Sequence, residues 1–391
     1  MTLTTPDPVA LAAALEVAGA DGWLLYDFQG VNPVLGQVLG ITGMGSRRLF
    51  VYLPRTGEPV AVAHRIELQS VAGFPGRILP YSRWEELHEA LRSVVAGRRV
   101  AMEVAEDDAV PYLDRVPSGV VQLLGKLGAT VLPSAALVTR FASTWSAPDL
   151  ADHLAAAEVL ARVAQAALRR AVGAGGTGLT ESALQREVVD ALHAGGLVFD
   201  HPPIVGFGPN AANPHYEPHA GADRTLAANE VVLLDLWGGR HWGAVYADQT
   251  WMGFSGSKPP AEVRKVWEVV RDARDAAIEF VQSGWSTGRS IRGFEVDRVS
   301  RGVITAAGFG EAFVHRTGHS IDHRLHGSGP HLDDYETHDD RQLLTGTGFS
   351  VEPGVYLPGQ FGVRSEVNMY LTPGEAFVTP GSPQRELIIG A

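Results

Sequence analysis

Asp235 closes the run EVVLLD, Asp248 sits inside GAVYADQTWMGF, Glu352 inside FSVEPGVYL and Glu366 inside GVRSEVNMYL. All four acids lie in apolar stretches with the composition of buried strands. An isolated buried carboxylate is costly unless it is paired, protonated or bound to a cation. Any one of them, alone, reads more readily as an edge or solvent-facing acid; four together, two in each of two similar stretches, read as a site. Two-residue alternation places Arg364, Glu366 and Asn368 on one strand face. The segment HRTGHSIDHRLHGSGPH, residues 315–331, adds five of the fourteen histidines of the chain. Histidine titrates near neutral pH and is the commonest metal ligand. With His319, the four carboxylates make a mainly oxygen-donor set. Two divalent cations would neutralise it, with Mn²⁺ favoured and Zn²⁺ or Co²⁺ also compatible. Such a pair produces a nucleophile from water at neutral pH and polarises a carbonyl oxygen.

The elements that must position these residues fall into two regimes. In residues 1–146, GWLLYDF, RRLFVYLP, PVAVAHRI and RRVAMEVA are short apolar runs bounded by Gly, Pro or charge, as strands are, and RWEELHEALRSVVAGR has helical spacing. This alternation predicts an α/β domain. Ser146 is a candidate N-cap, with Pro148 in the first turn, for a long Ala/Leu-rich helix over about 147–172. Residues 147–391 then run twice through one order, two helices followed by strands. That order predicts two like halves facing each other, with a cleft between them.

Net charge is −12, with no long run of Lys or Arg, which argues against a nucleic-acid or anionic-membrane surface. The absence of cysteine excludes disulfides, thiolate zinc sites and a cysteine nucleophile. The N-terminus does not read as a signal peptide and no uncharged apolar stretch approaches a membrane span, so a cytoplasmic protein is expected.

The acid- and histidine-bearing segments resemble the pita-bread-fold metallopeptidases, and within them the Xaa-Pro peptidases, prolidase and aminopeptidase P. The resemblance runs from about residue 147 to 385; the N-terminal domain is similar to the smaller domain of the family in position, size and α/β character only. GPNAANPHYEP resembles the segment with a substrate-side histidine, here His215. LLDLWG…GAVYADQT resembles the segment with two metal-binding aspartates, HRTGHSIDHRLH the histidine motif, and VEPGVYLPGQFGVRSEV the segment with two metal-binding glutamates. The resemblance implies an N-terminal creatinase-like α/β domain, residues 1–146, and an α+β pita-bread catalytic domain with pseudo-twofold halves, residues 147–391. It implies two divalent metal ions held by Asp235, Asp248, His319, Glu352 and Glu366.

It also implies roles. Glu352 is ligand and proton shuttle, and a metal-held hydroxide is the nucleophile. His215 or His326 stabilises the oxyanion, and Asp235 receives the substrate amine. The substrate is a small peptide with proline second, and a homodimer is expected. The fourteen-residue separation of Glu352 and Glu366 leans towards a dipeptidase over an aminopeptidase P acting on longer peptides. A non-catalytic peptide-binding relative, or a metal-free hydrolase of the creatinase kind, would be expected to lack ligands that are present here. A dipeptidase must also recognise the carboxylate of its proline residue, for which arginine is suited. Arg364, and one of Arg47 and Arg48 behind a flexible Gly45–Ser46 lead, are the candidates. His323 and His331 are expected to be polar loop residues away from the metals.

Three departures from the family pattern stand out. Asp235 and Asp248 are thirteen apart, two more than is usual; Ser320 and Asp322 replace glycines after the ligand histidine; and Val367 replaces an acid. The extra residues are expected to be absorbed around GGRHWG.

Overall fold

The computed structural model describes residues 3–41 and 45–390. The chain divides into two compact units, the first ending at Ala142 and the second beginning at Ser143.

The first unit follows the alternation of its sequence. Its elements are α1 (Pro8–Val17), β1 (Gly22–Asp27), α2 (Pro33–Leu39), β2 (Leu49–Pro54), β3 (Val60–His64), β4 (Arg77–Tyr81), α3 (Trp84–Val95), β5 (Arg99–Met102), α4 (Ser118–Lys126), β6 (Thr130–Pro133) and α5 (Ala135–Ala142). The strands form one mixed sheet in the order β4-β3-β2-β1-β5-β6. Because side chains alternate along a strand, β1 feeds two cores. Trp23 and Leu25 pack with residues of α1, α2 and α5, whereas Leu24 and Tyr26 pack with residues of α3 and α4. Both faces are therefore covered and the unit is a three-layer α/β/α sandwich.

The second unit contains α6 (Ala147–Val172), α7 (Glu181–Ala194), β7 (Ile204–Phe207), β8 (Val231–Gly238), β9 (Ala247–Phe254), α8 (Ala261–Ser286), α9 (Gly293–Ala306), β10 (Ser320–Ile321), β11 (Gly348–Val351), β12 (Gly354–Leu357), β13 (Phe361–Arg364), β14 (Val367–Leu371), β15 (Ala376–Thr379) and β16 (Ile388–Ile389). Two four-stranded sheets, β16-β9-β8-β7 and β10-β11-β14-β15, are joined by the ribbon β12-β13. The order helix, helix, strands thus occurs twice. Ser146 caps α6, its hydroxyl accepting the Asp149 N–H. The unit begins a little before that cap because Trp145 belongs to it: its backbone N–H donates to Gly346, its indole N–H donates to the Ile321 carbonyl at 2.9 Å, and its ring stacks on Tyr370.

The ladder of β8 and β9 explains why acids stand among apolar residues. Val232, Leu234 and Leu236 pack with residues of α6 and α7, and Val231 and Leu233 with residues of α8, β12 and β13. Asp235 continues the second face by the two-residue period. Its register partner is Thr250, and Trp237 stands opposite Asp248, so both aspartates share that face. The ladder has no bulge from Val231 to Gly238; the additional residues lie in the loop 239–246. Two extra residues are one full pleat period, so neither acid changes face.

Candidate active site

The second pair of acids is placed by a break in a strand pair. Ser350 pairs with Asn368 and Val351 with Val367 on one side; Gly354 pairs with Arg364 on the other. The register is common to both sides, which sets Glu352 opposite Glu366 at the break. Pro353 follows Glu352 and cannot donate to a ladder, so the interruption has a local cause. The carboxylates occupy the first of the two unpaired levels, and at the second the Ser365 N–H donates to the Pro353 carbonyl.

Around this level the structure gathers the acids and one imidazole. A carboxylate oxygen from each of Asp248 and Glu366 and a nitrogen of His319 lie within 4.8 Å of one another, all from buried residues. His319 Nε2 stands 3.4 Å from Asp248 Oδ2 and 3.3 Å from Glu352 Oε1. Its Nδ1–H donates to the Ser320 carbonyl at 3.1 Å, which turns Nε2 to the acids. Ser350 Oγ accepts the His319 N–H at 2.9 Å and donates to Glu352 Oε1 at 3.0 Å, holding imidazole and carboxylate in one frame. Asp235 joins through Thr250, whose hydroxyl lies 3.1 Å from Asp235 Oδ1 and 2.8 Å from Glu366 Oε2. The Asp248 N–H donates to Asn368 Oδ1 at 2.9 Å. Asn368 was legible as a neighbour of Glu366; Thr250 was not, although it lies two residues beyond Asp248 on the same face.

Arg364 is buried and its bonds are turned inward. It donates to Asp235 Oδ2 through Nη2, to Thr250 Oγ1 through Nε at 2.9 Å, and through Nη1 to Tyr356 Oη at 3.2 Å and the Pro214 carbonyl at 3.3 Å. Tyr356 Oη donates to His315 Nε2 at 2.8 Å, and His315 Nδ1–H donates to the Arg316 carbonyl at 2.7 Å. This neutral chain accounts for His315, whose protonation burial pushes down to about 4. The sequence reading passed over Tyr356.

The remaining histidines separate by surroundings. The rings of His326 and His319 meet edge to face, with centroids 4.3 Å apart. His326 reaches the surface at the rim, and its protonation is disfavoured first by the charge of His319 and then by partial burial, with Arg316 and His215 adding to it. His215 is exposed on the loop after β7. That loop is tied down by buried Glu181, which accepts from the N–H groups of Phe207 and Arg224 and from Tyr216 Oη. His323 donates to the Gly243 carbonyl at 2.8 Å, away from the acids. His331 departs from the expectation of a polar loop residue: it is fully buried, and its Nδ1 accepts the Ser320 N–H at 3.0 Å. Ser320 and Asp322, in place of glycines, order the adjoining turn. Ser320 Oγ accepts from Gly329, and the two Asp322 oxygens accept from Arg324 and Ser328. A Cβ on Gly329 would lie 2.5 Å from Ser320 Oγ and one on Gly327 2.8 Å from Asp322, so the side chains of Ser320 and Asp322 need glycine at those two positions.

The electrostatics ask for cations. Burial pushes Asp235 up to about 7, with Arg364 opposing and Asp248 and Glu352 adding to the rise. Burial raises Asp248 and Glu366 as well. Burial would also raise Glu352, but the neighbouring positive charge, His319 first, with Arg364 and Arg316 adding to it, outweighs it and holds it low. Among the described residues, Asp248 Oδ1 and Glu366 Oε1 are buried without a hydrogen-bond partner. Unpaired buried acceptors are rare, and a divalent cation would satisfy both while restoring the ionised carboxylates. The residues present therefore fit a metal centre.

Of the expected site residues, the structure gathers Asp235, Asp248, His319, Glu352, Glu366, His326 and Arg364 in the second unit. Arg47 and Arg48 belong to the first. Arg47 is exposed and donates to the Ser46 carbonyl at 3.0 Å; the Arg48 carbonyl accepts from Tyr81 Oη at 2.7 Å. Ser46 is not a loose lead into β2, because its N–H and hydroxyl both donate to Glu67 Oε1.

Two sheets that bring an acid–imidazole centre into line, preceded by a separate α/β unit, define the pita-bread class of hydrolase. The description Metallopeptidase family M24 matches residues 154–373, more than half of the chain, and the chain belongs to that family. The chain is 28% identical over 342 residues to the probable dipeptidase PepE of Mycobacterium tuberculosis, covering 86% of this chain and 84% of the relative. It is 34% identical over 255 residues to the Xaa-Pro dipeptidase of Lactobacillus delbrueckii subsp. lactis, covering 62% and 65%. Among solved structures, dipeptidase PepE from Mycobacterium ulcerans superposes with a TM-score of 0.77 at 25% identity, covering 98% of this chain and 97% of that one. The family and these relatives make the chain a peptidase. Among its described residues, no helix is long and apolar enough to cross a membrane.

Proposed function

We propose that the chain is a metal-dependent Xaa-Pro dipeptidase, a prolidase, acting on small peptides whose second residue is proline. The observation that carries this reading is the buried convergence of Asp248, His319 and Glu366, with Asp235 and Glu352 at its edges. The likeness to the Lactobacillus Xaa-Pro dipeptidase supports it.

Those five residues would hold two divalent cations, Mn²⁺ in preference to Zn²⁺ or Co²⁺ on the oxygen-rich character of the set. When bound, the cations supply Lewis acidity for activating water and polarising the scissile carbonyl. The chain supplies the rest. Glu352, kept ionised by its cationic neighbours and oriented by Ser350, accepts a proton from the attacking water and returns it to the imino nitrogen as the bond breaks. That transfer is needed because an unprotonated amide nitrogen is a poor leaving group. His326 and His215 donate to the carbonyl oxygen as negative charge develops on it. Asp235 accepts from the substrate ammonium, and Arg364 fixes that carboxylate in place.

The test uses purified full-length protein. Metal analysis after Mn²⁺ loading should find two cations per chain, and EDTA should abolish cleavage of Leu-Pro. Full turnover in chelator with no bound metal rejects the metal-dependent reading. Leu-Ala cleaved as well as Leu-Pro removes the proline requirement, and preference for Leu-Pro-Gly over Leu-Pro favours the aminopeptidase alternative.

A further inference from the structure

A cavity of about 270 Å³ adjoins the cluster on the side of β7 and β8. Its walls include Ile204, Pro203, Tyr216 and Trp237, and His215 is among its lining. Strand register fixes where it lies: Ile204 stands directly opposite Asp235, and Trp237 directly opposite Asp248. Trp237 is therefore on the acid-bearing face of β8, two residues beyond Asp235. It is 8% exposed, and its indole N–H has no acceptor among the described residues. A buried tryptophan normally finds an acceptor. Packing against Trp145, Tyr246 and Tyr370, rather than a hydrogen bond, holds this ring as a wall.

We infer that Trp237 is the specificity-determining wall of a pocket that receives an apolar side chain from the amino-terminal residue of the substrate. The inference rests on the peptidase reading above and deepens it. With the substrate ammonium at Asp235, the first side chain branches from the adjoining carbon. On the side of the cavity, the neighbours of Asp235 across and along the sheet are Ile204 and Trp237; Thr250 and Leu233 flank it on the other sides. The cavity lies near the lower end of ordinary ligand sites, roughly 300 Å³ and upward, which leaves ample room for one substrate side chain. The aliphatic and aromatic walls suit an apolar side chain, and Glu217, also in the lining, opposes an acidic one.

The experiment measures kcat/KM of Mn²⁺-loaded wild type, Trp237→Ala and Trp237→Phe on Leu-Pro, Gly-Pro, Leu-Ala and Gly-Ala, with a thermal melt of each protein. Wild type should favour leucine over glycine in the first position by about tenfold or more, the scale of hydrophobic-pocket discrimination. Trp237→Ala should lose at least about fivefold of that ratio whichever residue comes second, and Trp237→Phe should lie between. An unchanged leucine-to-glycine ratio in folded Trp237→Ala overturns the inference. A change in proline-versus-alanine selectivity with the first-position ratio intact also overturns it, and moves the pocket to the proline side. If Trp237→Ala melts below the assay temperature, Trp237→Phe decides on the same ratio. The two readings fail differently: a wild type that cleaves Leu-Ala as well as Leu-Pro removes the proline requirement while the pocket is still read from leucine against glycine, and no turnover on any of the four peptides overturns both.

Discussion

The five histidines between residues 315 and 331 show how little residue type says without surroundings. His319 has its Nδ1–H spent on a carbonyl and its Nε2 beside two carboxylates; His315 is locked neutral by Tyr356; His331 is buried; His323 is tied to a turn. Only His326 combines an open rim position with contact to the ligand ring. His326→Ala should therefore leave the metal content unchanged and lower kcat by about 10²-fold, the scale of one oxyanion or proton-transfer donor. His323→Ala should stay near wild type. Metal analysis and steady-state kinetics on both variants check this, and equal losses would show that His326 has no special part. The motif spacing marked His319 and His326 in the sequence. It could not separate His331 from His323, because their difference is burial, produced by the chain that returns as Asp339 and Arg341: Asp339 accepts the His331 N–H at 2.8 Å, and Arg341 donates to Asp339.

At the scale of elements, α6 is pinned to the strands by His153, which the sequence presents as one polar residue in an Ala-rich helix. It is fully buried; Nδ1–H donates to the Tyr246 carbonyl at 2.7 Å and Nε2 accepts from Thr379 Oγ1 at 2.7 Å. Only the accepting Nε2 requires the neutral ring; the Tyr246 carbonyl favours the charged one, but burial outweighs it and pushes the pKa from 6.5 down to about 4. The folded state thus resists a proton that the unfolded chain takes up below pH 6.5. Stability from this site is full above that value, falls as pH drops towards 4, and changes by at most about 3 kcal/mol. Denaturant unfolding at pH 7 and pH 4.5 should show a larger loss for wild type than for His153→Gln, which has no proton to take up; equal losses would mean that His153 is not the titrating clamp. The long helix itself was legible, because its cap, its proline and its composition agree. The interruption within FSVEPGVYL was not, since an apolar run reads through Glu352 as one strand and only the register across to β13 and β14 reveals the gap. Strands β4 and β6 were also missed, being short and only partly buried.

At the scale of the whole molecule, the first unit has its own two-sided core, more than is needed merely to precede a catalytic domain. The sequence-based expectation of an arginine for the carboxylate of the proline residue in a dipeptide rests, apart from Arg364, on two residues of this unit. A longer peptide has no carboxylate there, and an unpaired anion in a confined site is costly. Arg364 is committed elsewhere, with bonds to Asp235, Thr250, Tyr356 and Pro214. Arg47 and Arg48 stand just before β2, at a point that Glu67 stiffens through Ser46. Neighbouring residues of an extended chain point to opposite sides, so no more than one of the two is expected to act as a carboxylate ligand. Arg47→Ala and Arg48→Ala should be compared by kcat/KM on Leu-Pro and Leu-Pro-Gly. The functional arginine, once removed, should cost about tenfold or more on the dipeptide, the lower range for a charge-assisted pair, with the tripeptide unchanged or improved. The loss should appear mainly in KM, because the carboxylate is bound alike in the ground state and the transition state. If both variants keep the wild-type dipeptide-to-tripeptide ratio, neither arginine is the ligand and the selectivity is set within the second unit.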